Sequence, residues 1–189
     1  MKKALICTCT FLTLIANASY AQKEKNAIVE NVTKVNFLLP GLAHEHALGK
    51  ASTIYLAAYM NMWTSQSLSF FGNWSSTVHF SPALDVSFRN YYNYKRRSGR
   101  GLRTEMNSLN YIAPAYMVTA IKISSATSTD IVHQIGVVWG FQRNYPGRFS
   151  LDFNIGAGYF FNAKGFSNNQ SFWPMSQLTL GIWLKKKKK

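Results

Sequence analysis

The stretch "LAHEHALGK" sets His44 and His46 on either side of Glu45. His-x-His supplies two imidazole ligands for a metal, and His beside Glu supplies a base with an acid. A second grouping, "SSATSTDIVH", holds Ser125, Ser128, Asp130 and His133, the residue types of a nucleophile, an acid and a base. Residue types alone do not make a site. The elements that carry these side chains decide which of them face one another.

The chain opens with Met1-Lys2-Lys3, an apolar stretch over residues 4–16, and the small residues Ser19 and Ala21. That order is the pattern of a secretory signal peptide. The apolar stretch is shorter than the about 20 residues that a spanning helix needs. We therefore expect residues 1–21 to be a cleaved signal, 22–184 one domain, and 185–189 a basic tail. Cys7 and Cys9 would leave with the signal, which excludes disulfides, thiolate metal sites and a cysteine nucleophile from the mature chain. Export without disulfides fits a bacterial envelope protein.

The formal net charge is +14, with much of it in the lysine tail and in "YKRRSGRGLR", around Arg96, Arg97, Arg100 and Arg103. Two short basic runs in an exported chain, rather than one patterned face, speak against nucleic acid as a partner. Charged residues are only 15% of the chain, against roughly 25% in soluble domains, while aromatics also reach 15%.

Apolar residues recur with period two, the signature of strands. In "RFSLDFNIGAGYFF", Phe149, Leu151, Phe153, Ile155 and Tyr159 oppose Ser150, Asp152, Asn154, Gly156 and Gly158. In "LDVSFRN", Leu84, Val86 and Phe88 oppose Asp85, Ser87 and Arg89. Eight strands are expected, over 31–39, 42–48, 51–63, 77–92, 108–123, 130–143, 147–162 and 175–184. A soluble sandwich packs the apolar face inward, whereas a membrane barrel turns it to lipid and keeps the polar face inside. The signal, strands of ten or more residues and aromatics near strand ends favour the barrel. Tight links at Gly49-Lys50 and "NYPG" alternate with longer ones over 64–76 and 163–174, the expected asymmetry of periplasmic turns and outer loops. The long inner link carrying residues 95–103 breaks that rule, and its positive charge suits phospholipid headgroups.

The sequence "VTKVNFLLPG…HEHALGKASTIYLAAYMNMW", with "LDVSFRNYYNYKRR" and "NSLNYIAPAY", resembles small Gram-negative outer-membrane β-barrel proteins of unassigned function, distantly of OmpA/OmpX type. The resemblance spans essentially the whole mature chain. It implies an all-β fold: an eight-stranded antiparallel transmembrane barrel in the bacterial outer membrane. It implies no activity.

The interior of so narrow a barrel is filled by side chains. A structural polar network of Glu45, His79, Asp85, Arg89 and Asp152 is expected there, with Glu45 and Asp85 neutralising Arg89. The inward face also includes Gln134, Gln142 and Asn154. His44 and His46 then point outward near a periplasmic turn, away from Glu45, so neither a metal nor a catalytic pair is expected. The expected function is non-enzymatic, structural or surface-interacting, with no cofactor, and the expected chain is a monomer in outer-membrane lipid. Phe70, Phe71, Trp74, Phe166, Phe172 and Trp173 are the candidate contacts for an extracellular ligand or protein. Two alternatives stand beside this: a lipid-modifying enzyme acting on lipid A or acyl chains through His133, and a soluble periplasmic β-sandwich or lipocalin-like carrier.

Overall fold

A computed structural model describes residues 28–68, 74–122, 129–161 and 172–184. The expected signal over 1–21 and the tail over 185–189 lie outside them. Eight antiparallel strands follow in order: β1 (Val32–Asn36), β2 (Gly41–Ala47), β3 (Ser52–Leu68), β4 (Trp74–Tyr91), β5 (Asn110–Lys122), β6 (Thr129–Asn144), β7 (Phe149–Phe161) and β8 (Phe172–Leu184). Each pairs with its sequence neighbour, and β1 also pairs with β8, so the hydrogen-bonded ring is closed.

Period two becomes two faces. Along β4, Ser81, Ala83, Asp85, Ser87, Arg89 and Tyr91 are buried, while Phe80, Leu84, Val86 and Phe88 are exposed. In β6, Val132, Gln134, Val138, Gln142 and Asn144 are buried, and Ile131, Ile135, Val137 and Trp139 are exposed. The ring is thus polar within and apolar without, because shifting a strand by one residue would exchange its entire faces. Many of the apolar residues that face inward are small (Ala43, Ala57, Ala83, Ala113) or are tyrosines whose hydroxyl end can reach polar neighbours, and Val32, Val132, Val138, Met175 and Trp183 join them.

Four boundaries differ from the sequence reading by three residues or more: β1 ends at Asn36 rather than 39, β4 begins at Trp74 rather than 77, and the end of β3 and the start of β8 also move. The polar run 64–68, expected to be an outer loop, continues β3 as far as the pair Leu68↔Trp74. A ladder needs only backbone partners, so a Ser/Thr-rich sequence extends it when β4 lies alongside. β8 likewise begins at Phe172 rather than Met175. At the other end, the long link after β4 holds a short helix α1 (Tyr94–Ser98) and a 3₁₀ turn, Glu105–Asn107. Arg97 donates to the carbonyl of Arg103, and Arg103 donates from Nε to the Asn144 carbonyl at 2.7 Å. Part of the basic run is therefore internal scaffolding, whereas Lys95, Arg96 and Arg100 are exposed.

The wall is uneven. β1 spans five residues and β2 seven, against seventeen in β3 and thirteen in β8. The β1–β8 ladder ends at Asn36↔Gly181 and the β2–β3 ladder at Gly41↔Tyr59. The turn 37–40 adds Phe37 N–H to the Leu180 carbonyl and Met60 N–H to the Pro40 carbonyl, both 2.8 Å. Above that turn, among the described residues, no strand bridges β3 from Asn61 onward to β8 before Thr179. The wall is notched there.

Ring closure is testable across the first and last strands. Val35 and Ile182 are paired and outward-facing, and directly opposite residues hold their Cβ atoms about 4.5–5.5 Å apart. A Val35→Cys/Ile182→Cys chain should yield a covalent ring with a short bis-thiol crosslinker, seen as altered mobility of the denatured protein. No ring product, when a Phe153→Cys/Leu178→Cys control pair reacts, would refute closure.

Candidate functional site: a charged interior below an open cavity

The lower interior is organised around Asp152 of β7. Arg89 of β4 donates from Nη1 to Asp152 Oδ2 at 2.7 Å, and Lys34 of β1 reaches the same oxygen at 3.1 Å. Tyr111 donates to the other carboxylate oxygen at 2.7 Å. The Arg89 guanidinium lies over two rings, 3.7 Å from the Tyr55 centroid and 4.3 Å from that of Tyr111. Both faces of the cation are thus covered by aromatic π-density, which partly replaces its lost hydration. Arg89 and Lys34 are each only 1% exposed, so a counter-charge within contact is a requirement for this fold.

Gln142 joins the cations to a second group. Its Oε1 accepts from Lys34 at 2.6 Å and from Arg89 at 3.0 Å, while Nε2 donates to Glu45 at 3.2 Å. Glu45 is fully buried and also accepts from Thr53 at 2.6 Å and from the Tyr91 hydroxyl. The 3₁₀ turn closes the lower end: Asn107 exchanges hydrogen bonds with the backbone of Glu30, and the Met106 carbonyl accepts from Gln142 and Asn144. The long link that broke the short-turn rule is therefore a plug.

The direct ion pair of Arg89 is with Asp152, while Glu45 reaches the two cations through Gln142 rather than by contact. The reason is geometric. Tyr55, the register partner of Glu45, places its ring on the guanidinium, and the Nη1 end points across the interior to β7. Lys34 belongs to the cluster although the sequence reading did not single it out; its place between Val32 and Asn36 on the buried face of β1 was the available signal.

Asp85 lies apart from the cluster. It is 9% exposed, and its Oδ1 has no hydrogen-bond partner among the described residues. It faces a cavity of about 530 Å³ in the upper half, whose floor includes Arg89 and Tyr111 and whose walls include Met117, Thr119, Gln134 and Met175. His79 is half-buried and, by alternation, inward-facing higher on β4.

The opening motif divides. Glu45 is internal, and His44 and His46 are on the outer face with ring centroids 6.3 Å apart. His44 Nδ1 lies 2.9 Å from Thr33 Oγ1. Among the described residues no three of His, Cys, Asp and Glu are grouped to hold a metal. His133 lies inside β6, within the strand expected over 130–143, stacked between the Phe161 and Tyr116 rings, with Nδ1 2.7 Å from the Tyr116 hydroxyl. Ser125 and Ser128 lie outside the described residues, and Asp130 is placed within β6. Of the proposed contact residues, Phe70, Phe71 and Phe166 are also outside; Trp74 begins β4, and Phe172 and Trp173 begin β8 with high exposure.

The sequence matches no protein-family model, no curated protein and no solved structure. The residues themselves carry the functional argument. What they can do chemically is hold charge in place and close one end of the ring.

Two substitutions test the cluster. Asp152→Ala should cost about 3–5 kcal/mol, since it leaves two buried cations without their shared partner; a shifted denaturant midpoint reads this directly. Gly140→Ala acts sterically, because a Cβ at Gly140 would lie 2.5 Å from the Tyr111 ring and 2.7 Å from the Phe153 carbonyl. Its expected loss is about 1–3 kcal/mol. An unchanged midpoint for both would mean that the cluster does not hold the barrel.

Proposed function

We propose that this chain is a non-enzymatic outer-membrane β-barrel, closed to free diffusion by its charged interior, with a structural or surface-interaction role. One observation carries the reading: the wall is apolar outside and ionised within. Leu42, Phe80, Leu84, Ile135 and Val137 are each more than half exposed, whereas Lys34, Glu45 and Arg89 are almost wholly buried. Exposed apolar surface continuing around a ring would be a severe liability in water, and it is what a lipid-facing wall requires. A soluble lipocalin-like carrier needs the opposite arrangement.

Aromatics near the lower ends of the strands support the same reading. Trp139 donates to the Tyr92 hydroxyl at 2.7 Å on the outer face, and Tyr145 packs on Phe149 with centroids 5.9 Å apart. Amphipathic rings of this kind favour a membrane–water interface. Phe172 and Trp173 at the upper end are offered to partners beyond the membrane, in lipid that is itself the principal partner. No observation favours the lipid-modifying alternative, since His133 is held between aromatic rings.

Fractionation and gel mobility test the proposal. The protein should enter the outer-membrane fraction and migrate faster unheated than boiled. A chain recovered without detergent and showing no heat-dependent shift would refute it. The plugged lower end makes a further expectation: in planar bilayers the purified chain should give no stable conductance steps, and a steady open channel would overturn the sealed interior.

A further inference from the structure

The upper cavity is lined by residues of both faces of the wall. Asp85, Arg89, Tyr111 and Met117 face inward, but Met62, Ser176 and Leu178 are exposed outer-face residues that border the same space. Leu38, on the turn that tops β1, borders it too. Lining from both faces places one side of the cavity at the notch between β3 and β8 described above. Its volume, about 530 Å³, lies in the range that holds small ligands.

The polar end of this space is specific. Among the described residues, the charged groups around the cluster and cavity floor are the cations Lys34 and Arg89 and the carboxylates Glu45, Asp85 and Asp152. Both cations are engaged by Asp152 and Gln142, and Glu45 has three donors. The excess acid is Asp85: among the described residues its Oδ1 has no hydrogen-bond partner, and Arg89 Nε has no acceptor. Met117 and Met175 line the walls of the same space. Their flexible thioethers suit an alkyl chain of variable shape.

We propose that the cavity is a binding site for a single-chain amphiphile with a cationic amine head, admitted sideways from the membrane through the notch. The ammonium donates to Asp85, an adjacent hydroxyl or ester oxygen accepts from Arg89 Nε, and the chain leaves over Leu38, Met62 and Leu178. The proposal rests on the membrane reading given above.

The test is native mass spectrometry of the full chain in maltoside micelles with dodecylammonium, dodecanol or dodecanoate. One equivalent of dodecylammonium should bind, at least about tenfold tighter than dodecanoate, as a charge-assisted hydrogen bond predicts. Asp85→Asn should erase that preference with little change in dodecanol binding. Leu38→Trp, an exposed turn substitution at the notch, should suppress uptake of the chain-bearing amine from lipid nanodiscs. Equal binding of all three probes, or a preference that survives Asp85→Asn, would overturn the site. Undiminished uptake in Leu38→Trp would overturn the sideways route. Heat-dependent mobility of each variant is the separate control: if wild type lacks it, the membrane reading itself has failed.

Discussion

Two cations inside a narrow ring need a counter-charge, and the rest of the interior is arranged around that need. Lys34 and Arg89 converge on one oxygen of Asp152 from strands three places apart in the ring. Tyr111 fixes the second oxygen, Tyr55 covers the guanidinium, and Gln142 accepts from both cations while donating to Glu45. Burial of such groups costs several kcal/mol apiece unless every partner is in place. The small residues nearby follow from it: Gly140 is bare because the Tyr111 ring occupies the volume its side chain would take.

The cluster also divides the barrel into two halves of different character. Below it, the 3₁₀ turn and Asn107, Ser108 and Asn144 fill the ring with backbone-directed hydrogen bonds. Above it, Ala115, Met117, Gln134 and Met175 leave space. A dense charged floor under a softer, partly apolar chamber is a natural orientation device for a molecule with one polar end.

Much of the architecture was legible along the chain. Alternation in β4 and β7 assigned both the strands and the faces, because period two is a local property that each strand displays by itself. The inward set Glu45, Asp85, Arg89, Gln142 and Asp152 followed from the same alternation. Partner choice did not follow, since whether Arg89 meets Glu45 or Asp152 depends on the stagger of several strands and on where Tyr55 lies. Lys34 was hidden by its apolar neighbours in "VTKVNFLL". The plug was illegible for a different reason: it rests on Asn107 meeting Glu30, a contact between distant parts of the chain that no local pattern announces.

The join between β1 and β8 has four register pairs, from Thr33↔Leu184 to Asn36↔Gly181, whereas β3 and β4 share seventeen. It also brings together the two ends of the domain, the contact with the greatest entropic cost of closure. Viewed as a hoop, the barrel is fastened at its weakest stave, and Lys34 sits on that stave. By reaching inward from β1 to Asp152 on β7, the ammonium spans the join and bypasses β8. The buried charge is then a clasp as well as a filling: it ties the first strand to the far side of the seam that the backbone holds with so few bonds.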